Sequence, residues 1–436
     1  MSEQESNESV SRRGFLKTSA AAAAAVTLAG GCATGRSISA APAMHTQRRP
    51  VRIRVGLIGC GGRGTGAAKD CVKASPNVEI VALGDLFRDH LDAGREKLAE
   101  VGEAYQVSED ACFTGFDAYK NVLASDIDLV ILATPPGFRP LHLKAAIEAG
   151  KHVFMEKPVA VDPVGVRSVI ASSELASQKG LAIVAGTQRR HDRAYMETIK
   201  RIHDGAIGKI VAAQCYWNQG TLWVKPREDG WSDMEWQVRN WLYFTWLSGD
   251  HIVEQHVHNL DVINWALGAV PVKCMGVGGR QCRVGSEYGN IYDHFAVEYE
   301  YPNGVRVMSM CRQIEKAADR VAERVVGTRG VANPYGEITT GRTWKYKAKG
   351  EPQDPYVMEH VDLLSSIRSG RPLNEGRRIA ESTLTAIMGR MSAYTGRELS
   401  WDWAMNASTL DLSPPRYEMG DLSVEPVAMP GQTQLV

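Results

Sequence analysis

A glycine-rich turn between a strand and a helix constrains this chain more than any other feature. Val51-Arg52-Ile53-Arg54-Val55-Gly56-Leu57-Ile58 reads as an apolar strand that runs into Gly59-Cys60-Gly61-Gly62-Arg63-Gly64 and then a small-residue helix through Ala67 and Ala68. In that setting Gly59 permits the tight turn, Gly61 lets backbone approach a pyrophosphate, and Gly64 allows close packing of helix on strand. Gly62 and Arg63 complete the loop that leads to the helix N-terminus, whose unpaired N–H groups favour phosphate. A second strand, Val78 to Gly84, ends at Asp85, about twenty residues on, where an acid is expected to accept ribose hydroxyls. Asp85 favours NAD, while Arg88 is close enough to neutralise a 2′-phosphate and keeps NADP open. The alternative for Asp85 is a helix N-cap.

The following elements extend the pattern. Asp128 to Ala133 is a buried strand emptying into Thr134-Pro135-Pro136, with His142 at the start of the next helix, and His152 to Met155 leads into Glu156-Lys157-Pro158. Strand ends of this kind line the cofactor crevice of a doubly wound parallel sheet, which places Thr134, Pro135, Pro136, His142, Glu156 and Lys157 around the cofactor. After about Ile210 the periodicity changes. Val211 to Trp217, Phe295 to Tyr301 and Val305 to Met310 read as strands, the last two joined by Pro302-Asn303-Gly304.

With 436 residues, 44% of them hydrophobic and 23% charged, the chain can bury two domains. Lys plus Arg equals Asp plus Glu at 50 each, so no global field draws it to nucleic acid or an anionic membrane. The eight cysteines are scattered without a CxxC pair and read mostly as core residues, although Cys274 and Cys282 could bridge a hairpin.

Ser11-Arg12-Arg13-Gly14-Phe15-Leu16-Lys17, followed by an alanine-rich run to Ala29, has the layout of a twin-arginine signal peptide. Ala41-Pro42-Ala43 offers a cleavage site, and Leu28-Ala29-Gly30-Gly31-Cys32 resembles an imperfect lipobox that would put a lipid anchor on Cys32. Either way the mature domain is exported, with no transmembrane segment. The expected organisation is signal and linker 1–43, cofactor domain 51–185, α+β domain 186–405 and tail 406–436.

The ordered set of Gly59 to Gly64, Thr134-Pro135-Pro136 with His142, Glu156-Lys157-Pro158 and Gly186-Thr187-Gln188-Arg189-Arg190 resembles the Gfo/Idh/MocA oxidoreductase family, over nearly everything after the signal. The resemblance implies an N-terminal Rossmann domain and a C-terminal α+β domain with an open, mainly antiparallel sheet. It also implies a sugar or cyclitol substrate and a homodimer or homotetramer assembled through that sheet.

Oxidising a secondary alcohol requires holding the carbinol carbon near the nicotinamide while the hydroxyl proton is removed. Lys157, at a strand end beside the cofactor, is the candidate acid/base group, and the family's lysine in this motif occupies that place. Inositol dehydrogenase-like members carry an aspartate, three residues, then a histidine and a nearby aspartate; here Glu254 stands first, then His258, then Asp261. On one helix Glu254 and His258 share a face, so His258 is expected as the acid/base partner of Lys157 and Glu254 as its orienter or a ligand for a substrate hydroxyl. His251, Glu254, His256 and His258 invite a metal reading, but His256 and His258 point to different faces, and no metal is assigned.

Gln188 at the crevice mouth is assigned to the cofactor and Arg190 to substrate, with pairing to carboxylates of the next helix as the alternative for Arg190. Trp217, Trp223, Trp231, Trp236, Trp241 and Trp246 are interspersed with amides and charges, as in carbohydrate sites, and Trp241 is taken as a substrate contact; the other reading is core packing. The expectation is an exported NAD(P)-dependent oxidoreductase with a retained cofactor. The rivals are an NAD-dependent glycosidase or lyase using transient oxidation, and a non-catalytic periplasmic sugar-binding protein.

Overall fold

The computed structural model describes residues 52–436; the export signal, Cys32, the Ala41-Pro42-Ala43 site and Val51 lie outside the described residues. The first half alternates strand and helix: β1 (Ile53–Ile58), α1 (Gly62–Ala74), β2 (Val78–Asp85), α2 (Arg88–Leu98), β3 (Cys112–Thr114), α3 (Ala118–Ala124), β4 (Leu129–Leu132), α4 (Arg139–Glu148), β5 (His152–Met155), α5 (Pro163–Lys179) and β6 (Ile183–Ala185). These strands form one parallel sheet in the order β3-β2-β1-β4-β5-β6. The order reverses between β1 and β4, so the crevice opens where the glycine turn and the Thr134 loop meet. β4 is buried at every position, as a strand covered on both faces requires.

The second half runs α6 (Arg193–His203), β7 (Ile210–Gln219), α7 (Asp233–Arg239), α8 (Thr245–Ser248), α9 (His251–Glu254), α10 (Val257–Leu267), β8 (Lys273–Gly279), β9 (His294–Glu300), β10 (Arg306–Gln313), β11 (Arg320–Gly327), β12 (Val331–Asn333), β13 (Glu337–Thr340), β14 (Arg342–Lys345), α11 (Pro355–Arg368), α12 (Gly376–Thr395), β15 (Leu399–Ser400) and α13 (Trp401–Asn406). Its nine-stranded sheet has the order β14-β13-β12-β11-β7-β10-β9-β8-β15 and is antiparallel except between β10 and β7. The β9–β10 hairpin closes through Asn303 at φ 64°, as its Pro-Asn-Gly turn predicts.

Two apolar layers flank the parallel sheet. Ile53, Val55 and Leu57 pack with Ala67 and Ala68 of α1, while Val130, Leu132, Leu143 and Val166 lie in the layer that continues under the second sheet. Leu363 and Leu364 of α11 belong to the first layer, so this late helix packs on α1 rather than on the second sheet, unlike the 186–405 grouping expected from sequence. The tail is tied to its own chain: Leu412 N–H donates to Asp162 Oδ2 at 2.8 Å, and Tyr292 O–H to the Ala428 carbonyl at 2.8 Å. Cys274 and Cys282 are both free thiols, which corrects the hairpin disulfide.

Candidate active site

The glycine turn is built as its spacing predicts. Gly59 has φ 96°, and a Cβ there would stand 2.7 Å from the backbone of Ala133 and Thr134; at Gly64 it would stand 1.8 Å from the Gly59 carbonyl oxygen. At Gly61 and Gly62 a Cβ would meet nothing within 4 Å, so these two face open space where a pyrophosphate can approach. Gly61 is the N-cap of α1, which has no side-chain cap and no acid in its first turn. That leaves its N–H groups to an anion and suits a dinucleotide.

Asp85 ends β2 with its Oδ2 accepting from Cys60 N–H at 2.7 Å and its Oδ1 from Phe87 N–H at 3.0 Å. It caps no helix, since the N-cap of α2 is Phe87. Arg88 is engaged by Asp92 and Glu109, both at 3.0 Å, so a 2′-phosphate would have to compete with two carboxylates. Arg63 turns from the loop to Glu156 Oε1 at 2.6 Å and Glu359 at 3.3 Å, and lies 4.9 Å over the Tyr356 ring. It thereby links the phosphate loop to the strand end that carries Lys157.

Arg139, absent from the sequence reading, joins the other strand ends. It is 1% exposed and donates from Nε to the Glu156 carbonyl at 3.0 Å and from Nη2 to the Thr134 carbonyl at 2.6 Å. Burial pulls its pKa down to about 10, partly offset by Glu156. His142 does not reach the crevice as expected. It is buried between Tyr119 and Phe138, its Nδ1 lies 3.2 Å from Thr134 Oγ1, and burial with the Arg139 charge lowers its pKa to about 3, so it props Thr134 as a neutral ring. Pro135 leads into a short helical turn over Pro136–Phe138.

Lys157 Nζ donates to Glu254 Oε1 at 2.9 Å and also to the Glu254 backbone carbonyl; the Glu254 side chain is buried and that of Lys157 is 11% exposed. Glu254 Oε2 is buried with no protein donor. Glu254 and His258 do not share one helix. α9 ends at Glu254, α10 begins at Val257, and between them His256 N–H reaches back to the His251 carbonyl at 3.2 Å, a wider turn than an α-helix makes. α9 itself starts from Asp250 at φ 73° and ψ 160°, where a non-glycine residue carries roughly 1–3 kcal/mol of strain. The fully buried Asp250 carboxylate is held there by His251 N–H, the His251 ring, Tyr292 N–H and Tyr394 O–H.

His258 stacks on Trp217 at 5.7 Å and 22°. Burial first, then the charges of Lys157 and Arg189, hold its pKa well below the usual histidine value, so it is a neutral imidazole in the free protein and cannot serve there as a proton-donating acid. His256 is a core histidine bonded to Ser309 Oγ at 2.8 Å. Among the described residues no His, Cys, Asp or Glu group of three is arranged for a metal.

Arg190 is turned away from the site. Its guanidinium grips Asp261 of α10 with two bonds of 2.8 and 3.0 Å and covers Trp265, so an ion pair displaces the substrate assignment, though with a distant helix and not with α6, the next one in the chain. Asp261 is also bonded to Arg378 and Ser382. Arg190→Met leaves that 2% exposed carboxylate short of one counter-charge and should cost about 3 kcal/mol in chemical denaturation. A raised KM with unchanged stability would instead return Arg190 to the substrate.

Arg189 is the arginine that faces His258, lying 5.4 Å over Trp217 and paired with the buried Glu323. Gln188, expected at the cofactor, donates from Nε2 to Tyr356 Oη at 3.0 Å. Trp241 sits edge-on to Trp223 at 6.3 Å within apolar layers containing Phe87, Phe138, Trp236 and Phe244. It is a packing residue, and the indole beside His258 is Trp217.

His191, next in the chain, bonds Asp362 and lies 3.8 Å from Glu375. Burial pulls its pKa down, but the two acids outweigh it and bring it up to about 9. Its folded value is above the unfolded value of about 6.5, so its stabilisation is complete below that pH and is lost as pH rises through about 9. After allowance for the half-exposed Asp362 this is worth about 1–3 kcal/mol. Urea midpoints should therefore fall between neutral and alkaline pH, and His191→Gln should flatten that slope.

The geometry agrees with the similarities found. Residues 53–186 match the oxidoreductase family, NAD-binding Rossmann fold; residues 195–333 match the Gfo/Idh/MocA C-terminal domain; residues 9–29 match a twin-arginine translocation signal sequence. A glycosyl hydrolase family 109 protein from Shewanella amazonensis is 28% identical over 50% of this chain, and the chain spans about half of that relative's length (48%). The NAD(+)-dependent scyllo-inositol 2-dehydrogenase of Bacillus subtilis is 26% identical over 64% of this chain and 72% of its own. The solved structure of scyllo-inositol dehydrogenase from Lactobacillus casei with bound NAD(H) and scyllo-inositol superposes with a TM-score of 0.61 at 17% identity, covering 80% of this chain and 99% of that one. On its Rossmann domain, its C-terminal domain and its export signal together, the chain belongs to the Gfo/Idh/MocA oxidoreductase family, binds NAD and is addressed to the twin-arginine export pathway.

Proposed function

We propose that this protein is an exported NAD-dependent oxidoreductase acting on a secondary alcohol of a sugar, cyclitol or derivative, with Lys157, Glu254 and His258 as its reacting side chains. The observation that carries the reading is the buried Lys157–Glu254 pair, in which Glu254 Oε2 lacks a donor. A buried carboxylate oxygen without a partner is costly, and a substrate hydroxyl is the donor that relieves it. Gly59, Gly61, Gly64 and Asp85 would hold the dinucleotide, which when bound accepts hydride from the carbinol carbon.

The hydroxyl proton passes to Lys157 Nζ as that nitrogen gives one of its own to Glu254 Oε1, 2.9 Å away, so the proton ends on the carboxylate. Glu254 keeps that ammonium in place through Oε1 and binds a second hydroxyl through Oε2. His258, held neutral, offers an imidazole nitrogen to the same polyol, and Trp217 behind it fixes its ring. Export favours a retained cofactor, since a free nicotinamide pool is confined to the cytoplasm. The similarity to a family 109 glycosyl hydrolase favours a second reading, in which transient oxidation assists cleavage of a glycosidic bond.

The open face of the nine-stranded sheet exposes Val211, Met275, Val277, Met308 and Met310, and we assign it to subunit contacts in a homodimer or homotetramer. Among the described residues no helix is long and apolar enough to cross a membrane. The test of function is a panel of hexoses, inositols and disaccharides added to the NAD-loaded protein, read by the near-ultraviolet absorbance of reduced nicotinamide. At least one should reduce the cofactor; silence across the panel with NAD bound would sink the reading.

A further inference from the structure

Arg189, which lies over the Trp217 ring next to His258, also borders a recess of about 340 Å³ lined by Gln188, Asp192, Tyr195, Asn333, Tyr335 and Tyr356 among others. We propose that this recess is a subsite for a second sugar ring, so that the preferred substrate is a disaccharide or other glycoside rather than a free monosaccharide or cyclitol. The inference rests on the oxidoreductase reading of the neighbouring centre and names its substrate class.

The recess adjoins the reacting groups through one shared wall. Arg189 borders it and lies against Trp217, whose ring stacks on His258. A glycoside whose reacting ring sits at His258 would have to extend past Trp217 to place its next ring there. The volume is at the small end of ligand pockets, which run from about 300 to 1,000 Å³, and suits one compact ring.

The lining selects a neutral polyol. Arg189 is neutralised by Glu323, whose oxygens also accept from Asn259 at 2.6 Å and from Tyr195 O–H at 3.3 Å. The charge of that guanidinium is thereby balanced, which weakens its pull on a phosphate or carboxylate. Asp192 uses Oδ1 to cap α6, accepting from Ala194 N–H at 2.7 Å, and Asn333 Oδ1 accepts from Tyr335 N–H at 3.0 Å; Asp192 Oδ2 and the Asn333 amide N–H groups make no such bond. Gln188 Oε1 is buried without a donor while its Nε2 serves Tyr356, leaving an acceptor that a hydroxyl would satisfy. The exposed Tyr335 ring, backed by the buried Tyr195 ring 5.4 Å away at 52°, offers a face for sugar C–H groups.

Equilibrium binding by calorimetry to the NAD-loaded protein tests this without requiring turnover. The probes are glucose, galactose and mannose and their α- and β-linked disaccharides. At least one disaccharide should bind about tenfold or more tighter than either component, and Tyr335→Ala with Asn333→Ala should remove about three- to tenfold of that advantage while leaving the monosaccharide affinity unchanged. Both residues lie on the rim, outside the Lys157 centre, and Tyr335 is 64% exposed, so their loss leaves the fold intact. A panel in which no disaccharide outbinds its components, or an advantage that survives both substitutions, overturns the subsite. Failure of the oxidation reading shows separately, as sugars that bind but leave the nicotinamide absorbance unchanged.

Discussion

Lys157→Ala is expected to lower the rate of cofactor reduction by a bound sugar about 10²- to 10⁴-fold, the range for losing a positioned acid/base group, with NAD still bound. The substitution removes the only side chain among the described residues that pairs with Glu254 and leaves that 6% exposed carboxylate uncompensated, so part of any loss comes from stability. Lys157→Ala combined with Glu254→Gln separates the two. The double variant should regain stability and stay inactive. Single-turnover absorbance beside a urea titration reads both, and recovery of activity in the double variant would show that Lys157 serves only to neutralise Glu254.

The glycine turn should divide into two opposite outcomes. Gly64→Ala drives a Cβ to 1.8 Å from the Gly59 carbonyl oxygen, and neither backbone can yield without moving β1 or α1. A cost of about 3 kcal/mol or more is expected, with loss of soluble protein. Gly61→Ala meets nothing within 4 Å and has an ordinary φ of −66°, so the fold should tolerate it. NAD affinity should nevertheless fall, because the new methyl stands where the pyrophosphate would approach. Equal stability losses in both variants, or undiminished NAD binding by Gly61→Ala, would remove that phosphate cradle.

These contrasts show what a sequence can carry. Gly59, Gly61, Gly64, Asp85 and Lys157 were legible because their spacing is bound to backbone geometry: strand, turn and helix put them at one edge of one sheet whatever the rest of the chain does. Arg189 and Arg190 were not separable. They sit side by side in a short helical turn over Gln188–Arg190, and only the positions of Asp261 and Trp217 decide which one faces the site.

Glu323 and Tyr356 come from β11 and α11, far along the chain, and carry no local signature. The break between Glu254 and His258, where His256 N–H reaches back to the His251 carbonyl, and the positive φ at Asp250 that starts α9 beside Tyr292 and Tyr394 are both hidden in a sequence that reads as continuous helix. The tryptophan-rich stretch signalled aromatic contact with a sugar, but most of it packs against Phe87 and Phe138 at the edge of the parallel sheet, and only Trp217 stands beside His258.

The central claim is that this protein holds NAD against Lys157 and keeps it through export. Acid extraction of the mature protein recovered after twin-arginine export, with the released nicotinamide quantified against protein, tests it most directly. The account predicts a near-equimolar amount of NAD(H), diminished in Gly61→Ala and retained in Lys157→Ala. Wild-type protein that releases no nicotinamide, and takes up none when NAD is added, would contradict it.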